Sequence, residues 1–333
     1  MTPMNHPPAG IKNSTTVRTF PWTLRALRSG FRIVGGAAPD LAARLAERLL
    51  LTARRHPRPA WEHEVLEGGA AFEVPWKEGS LRGWSWGDGR TIVLVHGWEG
   101  RGAQLGAFVE PLVQAGFRVV TFDAPGHGDS SGTRSSVMDF ANALDRVIEA
   151  IGPVHGIVAH SMGAAATAVA MARRLRASRF VFIAPPVDFR KFSGAFAGTF
   201  TLPASVRDRL HQRLEARFAC RLDDIHGARL GGRIQAPLLV VHDEGDKEIS
   251  WEEGKTLTDA WPGAALFTTT GLGHRRVLKA PQVIGRAVSF LLSESEGHAR
   301  CATSEFKGAS PTSVLRAGRA ATFEAWRTSP ERT

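Results

Sequence analysis

Cysteine is nearly absent from this chain of 333 residues, which contains only Cys220 and Cys301. Two isolated cysteines provide neither a disulfide framework nor a cysteine-based zinc site. This scarcity favours a reducing compartment, and we therefore expect a cytoplasmic protein. Neither cysteine stands beside a residue that could act as a base and deprotonate the thiol, so a catalytic cysteine is not expected.

Long apolar runs are absent as well. No stretch approaches the roughly 18 consecutive apolar residues that a membrane-spanning helix needs. The beginning of the chain, MTPMNHPPAGIKNS, lacks the apolar core of a secretion signal. The sequence thus predicts neither a transmembrane helix nor a secretory leader.

Acidic residues are missing from the first 39 positions, although the chain as a whole has a net charge of only +10. Residues 1–60 contain ten lysines and arginines against two acids, whereas the rest of the chain is nearly balanced. A nucleic-acid-binding domain concentrates its basic residues on one folded surface. The distribution therefore argues against nucleic acid as a partner and assigns the positive charge to a basic N-terminal extension.

This extension, residues 1–60, begins with a proline- and threonine-rich stretch, residues 1–20, that we expect to be disordered. Apolar residues at helical spacing then predict a basic amphipathic helix over residues 22–34. The helix could pack on the protein's own core or associate weakly with an anionic membrane surface. An organellar targeting segment is a third interpretation. A second helix is predicted to follow Asp40, which we take as its N-cap.

From residue 62 onwards, strand patterns take over. The segments HEVL, AFEVP and LRGWSW, separated by turn residues, predict an antiparallel entry to a sheet. Apolar runs then alternate with helical segments. The runs lie at residues 91–96, 117–123, 155–160, 180–184, 236–246 and 265–270. This alternation predicts an α/β protein with a mostly parallel central sheet flanked by helices.

The alternation is interrupted at Pro185 and Pro186, after the sixth strand, and residues 187–235 have the character of an insertion. The segment FRKFSGAFAGTF is interpreted as loose and aromatic, and the segment that follows it as helical. An insertion at the carboxyl end of a strand lies over the place where open α/β sheets bind ligands. We therefore expect a small helical lid, with Phe196 and Phe200 as candidate substrate-binding residues. Ordinary packing of these side chains is the alternative.

The most informative stretch is GIVAHSMGAAATAVAMARRL, an apolar run, a serine between small residues, and a helical segment. A serine at such a strand-to-helix turn has its hydroxyl pushed out of the sheet, and small neighbours leave room for the sharp turn. Ser161 is therefore the candidate nucleophile, with Ala159 at the usual first glycine of a G-x-S-x-G elbow. Alternatively, Ser161 only caps the following helix.

Three candidate groups at strand ends, Ser161, Asp246 and His274 in that order, resemble the triad of the α/β-hydrolase superfamily. Further similar motifs are HGW at 96–98, DAPGHGDS at 123–130, HSMG at 160–163 and HDEGD at 242–246. The resemblance covers about residues 62–293 and implies an α/β-hydrolase fold. The expected parts are a core of residues 61–186 and 236–293, a lid of residues 187–235, and a disordered tail of residues 294–333.

The resemblance also implies a role for each site residue. Ser161 would be the nucleophile, His274 the base that takes its proton, and Asp246 the carboxylate that orients the imidazole. The backbone N–H groups of Trp98 and Met162 would form the oxyanion hole, which stabilises the negative oxygen of the tetrahedral intermediate.

Several carboxylates compete for the role of the acid, because Asp243, Glu244, Asp246 and Glu248 crowd one strand end. Gly245 permits a tight turn that would swing the Asp246 carboxylate back over the strand end. We therefore expect Asp246 to be the acid. Asp243, which stands where the family's stretch usually has glycine, is the alternative.

The other histidines of these motifs are interpreted as structural. His96 and His127 are expected to hold loops by hydrogen bonds, and His242 to end a strand. His160 should point away from the nucleophile, because adjacent residues of a strand face opposite sides. No ligand-spaced pair such as H-x-x-x-H accompanies the acids, so neither a metal nor a cofactor is expected.

Together these features predict a serine hydrolase that cleaves a carboxylic ester or thioester of a small molecule through an acyl-serine intermediate. The same triad could instead cleave a carbon-carbon bond or an amide, or transfer the acyl group to an acceptor other than water. A non-catalytic binding protein with an α/β-hydrolase-like fold is the rival interpretation. The altered elbow favours the rival, whereas the presence of all three triad residues argues against it.

Overall fold

The structure, a computed structural model, describes residues 22–293, so both stretches predicted to be disordered, residues 1–20 and 294–333, lie outside the described residues. Its centre is a sheet of strands β1 (Ala70–Trp76), β2 (Gly79–Trp86), β3 (Arg90–Val95), β4 (Phe117–Phe122), β5 (Val154–His160), β6 (Arg179–Ile183), β7 (Leu238–Asp243) and β8 (Ala264–Thr269). Their order across the sheet is β1-β2-β4-β3-β5-β6-β7-β8. β2 pairs antiparallel with β1 and β4, whereas the other neighbours are parallel. The mostly parallel sheet is confirmed.

The α-helices are α1 (Trp22–Ala37), α2 (Pro39–Leu50), α3 (Ala60–Glu67), α4 (Val109–Gln114), α5 (Val137–Ile151), α6 (Met162–Arg173), α7 (Phe189–Thr199), α8 (Ala204–Phe218), α9 (Gly227–Gly231), α10 (Trp251–Ala260), α11 (Gly273–Arg276) and α12 (Pro281–Leu292). Short 3-10 helices lie at Gly102–Phe108, Leu222–Ile225 and Val277–Lys279. None of the helices between residues 22 and 293 has the length and apolar character needed to cross a bilayer.

The central strands are apolar on both faces, as β3 illustrates. Val93 and Val95 enter the core on the side of α5 and α6, whereas Ile92 and Leu94 enter the core on the side of α4 and α12. Successive side chains of a strand point to opposite faces, so a continuous apolar run requires cover on both. Each such side chain contributes about 1.5–3 kcal/mol on burial. This double burial holds the carboxyl ends of β3, β5, β7 and β8 along one edge.

Two segments differ from their sequence-based predictions. The predicted strand HEVL is wrong, because these residues belong to α3, where Glu62 supplies the first turn with the negative charge that a helix N-terminus favours. The prediction that the segment FRKFSGAFAGTF is loose is also wrong, because this segment forms α7. Its N-cap is Asp188, whose side chain accepts a hydrogen bond from the Lys191 N–H group at 3.0 Å.

The start of α2 also differs from the prediction. Pro39 is its first residue and Ala38 its N-cap, so Asp40 lies in the first turn rather than at the cap. The Asp40 carboxylate instead pairs with Arg209 of α8 at 2.8 Å. Local sequence favoured a cap at Asp40, whereas the proline fixed the helix start two residues earlier.

Helices α1 and α2 pack on the inserted helices α7 and α8. The ring of Phe31 contacts the ring of Phe200 at 6.0 Å between centroids, and α2 lies along α8. Glu47, buried in this contact, accepts a hydrogen bond from Arg213 Nε at 2.6 Å. One face of the predicted amphipathic helix at residues 22–34 therefore packs on the protein itself.

Candidate active site

Ser161 lies at the turn between β5 and α6. Its backbone angles, φ 52° and ψ −122°, are ones that residues other than glycine rarely adopt. Strain of this kind persists where the surroundings enforce it, and it clusters at functional sites. The Ser161 side chain makes no capping hydrogen bond to α6, which disfavours the interpretation that it is only a helix cap.

Small residues let this turn close. A Cβ atom at Gly163 would lie 2.5 Å from the His96 carbonyl oxygen, and one at Gly97 would lie 3.0 Å from Ser161 Cβ. Larger residues at either position would therefore separate the loop after β3 from the turn. Ala159, which replaces the first elbow glycine, is fully buried, so this position accommodates a methyl group.

His274 and Asp246 meet at the neighbouring strand ends. His274 Nδ1 donates to Asp246 Oδ2 at 2.7 Å, and both side chains are buried. Asp246 Oδ1 accepts the N–H groups of Glu248 and Ile249 at 2.8 and 3.0 Å. Burial alone would raise the pKa of Asp246, but hydrogen bonds from His242, His274 and Ile249 outweigh it and hold this pKa well below its usual range.

Asp243, the alternative acid, binds a different set of groups. Its Oδ2 accepts the Thr269 hydroxyl and the Leu272 N–H group, each at 2.9 Å, and its Oδ1 accepts the Gly245 N–H group at 2.9 Å. Burial would raise the pKa of Asp243, but these hydrogen bonds and one from the Gly273 N–H group lower it. Asp243 therefore braces the loop that precedes His274, while Asp246 contacts the imidazole itself.

His160 connects the turn at Ser161 to the loop of His274. Its Nε2 donates to the His274 carbonyl oxygen at 3.0 Å, and the two rings lie 4.7 Å apart. Burial lowers the pKa of His160 to about 3, so the ring is neutral. Among residues 22–293, no hydrogen bond joins Ser161 to the His274 ring. Catalytic contacts of this kind often tighten only when substrate is bound.

The two predicted oxyanion donors flank the turn. Met162 is the first residue of α6, and N–H groups in the first turn of a helix lack partners within that helix. The positive end of the helix dipole favours negative charge at this point. Trp98 follows Gly97 in the loop that contacts Ser161, and its ring rests edge-on against His127 at 5.0 Å.

The other histidines hold loops. His96 Nδ1 donates to the Gly97 carbonyl oxygen at 2.7 Å, and its Nε2 accepts the Ala124 N–H group at 2.9 Å. His242 Nε2 donates to the Ile249 carbonyl oxygen at 3.1 Å and lies 3.5 Å from Asp246. In the described part of the chain, no three His, Cys, Asp or Glu side chains are arranged to hold a metal ion.

A second serine–histidine contact exists in the insertion. Ser193 Oγ lies 2.9 Å from His211 Nε2 and donates to the Arg190 carbonyl oxygen at 3.0 Å. The Arg190 guanidinium lies 3.3 Å from His211 Nδ1, so this nitrogen accepts and Nε2 carries the proton. A histidine that donates to serine cannot also act as its base, and Ser193 is completely buried. This pair joins α7 to α8.

The insertion also borders an apolar cavity beside Met162. The cavity is enclosed by α6, by the segment after β6 and by α7, and its lining includes Ala165, Pro186, Phe189 and Phe192. Of the two phenylalanines predicted to bind substrate, Phe200 packs on Phe31 and Phe196 packs on Phe200, with centroids 4.8 Å apart. The spacing of Phe189 and Phe192 on one helix face was the missed signal, because the segment was not predicted to be helical.

Comparison with known proteins identifies the family of this chain. A sequence profile described as "Alpha/beta hydrolase family" matches residues 92–287, more than half of the chain. The chain belongs to the alpha/beta hydrolase family.

Individual relatives differ in their named activities. The chain is 28% identical over 236 residues to 2-hydroxy-6-oxononadienedioate/2-hydroxy-6-oxononatrienedioate hydrolase 1 of Dechloromonas aromatica (strain RCB). This match covers 55% of this chain and 80% of that protein. It resembles the structure of the Pyrococcus furiosus esterase Pf2001 with a TM-score of 0.55 and 18% identity over 72% of this chain and 98% of that one. A thioesterase domain from the curacin biosynthetic pathway matches with a TM-score of 0.51 and 17% identity, over 68% of this chain and 99% of the domain. The structural likenesses establish the fold.

Proposed function

We propose that this chain is a serine hydrolase that cleaves a carboxylic ester or thioester of a small molecule through an acyl-serine intermediate. The observation that carries the proposal is the strained turn at Ser161, which His160 connects to the loop of His274, a histidine whose Nδ1 donates to a buried carboxylate at 2.7 Å. When Nδ1 of His274 donates to Asp246 in this way, the Nε2 lone pair is the one that can accept the serine proton.

The proposed reaction has two halves. Ser161 Oγ attacks the carbonyl carbon while His274 Nε2 takes its proton, and the resulting oxyanion accepts the N–H groups of Trp98 and Met162. Collapse of the intermediate breaks the bond to the leaving alcohol or thiol, which receives the proton from His274. Water, deprotonated by the same imidazole, then attacks the acyl-serine ester. As the bond from the acyl carbon to Ser161 Oγ breaks, the imidazole returns the proton to Oγ, and the acid is released.

A specific observation favours a second candidate, hydrolysis of a carbon-carbon bond with the same triad. The Dechloromonas relative is named as a hydrolase of 2-hydroxy-6-oxononadienedioate and 2-hydroxy-6-oxononatrienedioate. Amide hydrolysis, acyl transfer to an alcohol or amine, and simple binding without catalysis use the same fold.

Labelling with a fluorophosphonate probe separates catalysis from binding, because an unactivated serine does not react. Assays on p-nitrophenyl esters of graded chain length, on a thioester and on a 2-hydroxy-6-oxodienedioate then separate the reaction classes. Labelling together with ester or thioester turnover is the expected result. A protein that the probe does not label, or that turns over only the dienedioate, would contradict the proposed function.

We also propose that the acyl group enters the apolar cavity beside Met162, whose volume of about 20 Å³ must widen to admit it, and that α7 is part of a lid over it. Replacing Phe192 with alanine is expected to enlarge the cavity and shift the ester preference of kcat/KM towards longer chains. Matched variants Phe196→Ala and Phe200→Ala should chiefly lower the melting temperature, because these rings pack on each other and on Phe31. A larger shift in chain-length preference for Phe196→Ala or Phe200→Ala would restore the sequence-based assignment.

We further propose that the protein is cytoplasmic and that it attaches weakly to an anionic membrane through α1. On α1, Trp22 and Ile33 are 79% and 72% exposed, and Arg25 and Arg32 are exposed beside them. Exposed aromatic and aliphatic side chains next to arginines suit the interface of anionic lipids.

Vesicle binding tests this attachment. The full chain should co-sediment at low salt with vesicles of equal amounts of phosphatidylcholine and phosphatidylserine. It should remain in the supernatant at high salt, because salt screens the charge attraction. The double variant Trp22→Ser and Ile33→Ser should lose binding, whereas Leu292→Ser, which removes an exposed apolar side chain of α12, should retain it. If the full chain ignores these vesicles at low salt, only the packing role of α1 stands.

A further inference from the structure

The segment that joins α2 to α3, residues 51–59, lies across two loops near the candidate site; we call it the arginine strap. Its Arg54 contacts loop 96–101, which follows β3 and contains Trp98. Arg54 Nε donates to Glu99 Oε1 at 3.0 Å and Nη2 donates to Oε2 at 3.3 Å. The backbone N–H group of Arg54 also donates to Glu99 Oε1, at 3.3 Å. The carboxylate next to Trp98 is thus held by side chain and backbone of the strap.

The same loop also reaches back to the strap through a buried arginine. The Arg101 guanidinium donates to the carbonyl oxygens of His56 and Pro57 at 3.0 and 3.2 Å. It also forms a two-point ion pair with Glu62 of α3. Because both charges are buried, removal of either partner would be strongly destabilising. This pair anchors the end of the loop that lies away from Ser161.

The strap contacts a second loop, residues 123–132, which contains His127. Arg58 Nη2 donates to the buried carboxylate of Asp123 at 3.0 Å, and Nη1 donates to Asp129 at 2.7 Å. Arg55 donates to three carbonyl oxygens of this loop, those of Gly126, Ser130 and Gly132. The strap therefore holds both loops against each other.

The two loops meet at Trp98 and Glu99. Glu99 adopts a left-handed backbone with φ 54°, which costs energy in a residue other than glycine. Its N–H group donates to His127 Nε2 at 3.2 Å, and the Trp98 ring rests on the same imidazole. Burial lowers the pKa of His127 to about 4, so the ring is neutral, and because Nδ1 donates to the Pro125 carbonyl oxygen at 2.9 Å, Nε2 carries no proton and accepts the bond. The peptide that follows Trp98 is thus set by contacts from both loops.

We propose that the arginine strap positions the oxyanion hole, and that Arg54 is a positioning residue that acts through Glu99 on the N–H group of Trp98. This inference rests on the proposed serine hydrolase function. Stabilisation of a developing oxyanion requires donors that are already in place, and loss of one donor costs about 100- to 1,000-fold in kcat. A donor that is displaced rather than removed should cost less.

The exposure of Arg54 separates this role from a general contribution to stability. Its side chain is 78% exposed, and exposed ion pairs contribute about 0–1 kcal/mol to folding. Replacing Arg54 should therefore leave the melting temperature nearly unchanged. Arg146, which pairs with Glu149 on the surface of α5, offers a matched control of the same residue type.

The experiment compares Arg54→Met, Arg54→Lys, Glu99→Gln and Arg146→Met in the full chain with the best ester or thioester substrate. We expect about a tenfold lower kcat with KM within about twofold for Arg54→Met, because the contact acts on the transition state. Arg54→Lys should recover part of the loss, and the double variant Arg54→Met with Glu99→Gln should lose no more than either single variant. Arg146→Met should match the wild type.

Hydrogen exchange of the amides of residues 97–101 provides a readout that does not depend on turnover. We expect faster exchange in Arg54→Met and wild-type exchange in Arg146→Met. Unchanged exchange and kcat in Arg54→Met, with a wild type that the fluorophosphonate labels, would overturn the role of the strap alone. A loss of kcat that tracks the melting temperature equally in both arginine variants would also overturn it. A wild type that is never labelled would remove the proposed function and this inference with it.

Discussion

Replacing Ser161 with alanine is expected to abolish measurable ester hydrolysis and to lower kcat by about four to six orders of magnitude, and His274→Ala should do the same. Nucleophile and base act as one unit in acyl transfer, so loss of either should cost about as much as loss of both. The folded state should persist in Ser161→Ala, because alanine retains the small side chain that the turn beside Gly97 and Gly163 requires. Steady-state kinetics and the melting temperature of each variant check this.

Ser193→Ala provides the matched control for Ser161→Ala. Ser193 also lies within hydrogen-bond distance of a histidine, His211, yet it is completely buried and lies within α7 rather than at a strand end. Its loss should cost about 1–3 kcal/mol of stability through the unpaired His211 and leave kcat within a few-fold of the wild type. A Ser161→Ala or His274→Ala variant that keeps more than about a tenth of wild-type kcat would contradict the triad.

Replacing Asp246 with asparagine is expected to lower kcat by about four orders of magnitude. The carboxylate accepts a hydrogen bond from His274 Nδ1–H at 2.7 Å and stabilises the imidazolium that forms when Ser161 is deprotonated. An asparagine side chain can present its NH₂ group to Nδ1, which would move the histidine proton to Nε2 and leave no base facing the serine. The prediction is checked by measuring kcat of Asp246→Asn and of the wild type at saturating substrate.

Asp243→Asn distinguishes the two candidate acids. Asp243 binds the Thr269 hydroxyl and the N–H groups of Gly245 and Leu272, so its replacement should lower the melting temperature. Because the His274 ring is not among its partners, kcat should fall far less than in Asp246→Asn. A deep loss in Asp243→Asn with near wild-type rates in Asp246→Asn would move the assignment to Asp243.

The strands and the site segments could be predicted because their signals are local. The continuous apolar runs of β3 and β5 predict buried strands, and the small residues around Ser161 predict a sharp turn. Gly245 marks the turn that brings Asp246 towards the imidazole, and the tight backbone contacts of its side chain depend on residues only two and three positions away. These features are determined by residues that are close together in the chain, so they can be predicted from the sequence.

Other features depend on partners far away in the chain. α3 lacks a distinct periodic pattern, and Glu62 is paired with Arg101, 39 residues away. Phe192 borders the cavity only because Asp188 starts a helix there. The arginines at positions 54, 55 and 58 carry no local sign of their partners, so composition showed only a basic extension.

The packing of α1 and α2 on α8 has a consequence for cooperativity. The apolar face of α8 includes Val206, Leu210 and Leu214, all completely buried, and α2 covers part of it with the alanines at positions 42, 43 and 46. In a chain shortened to begin at residue 61, the α2 cover would be lost and the part of α8 beneath it would meet water, at a cost of about 25 cal/mol per Å² of apolar surface. The first two helices and the insertion should thus melt together with the sheet, as one thermodynamic unit rather than as an appendage on an independent enzyme.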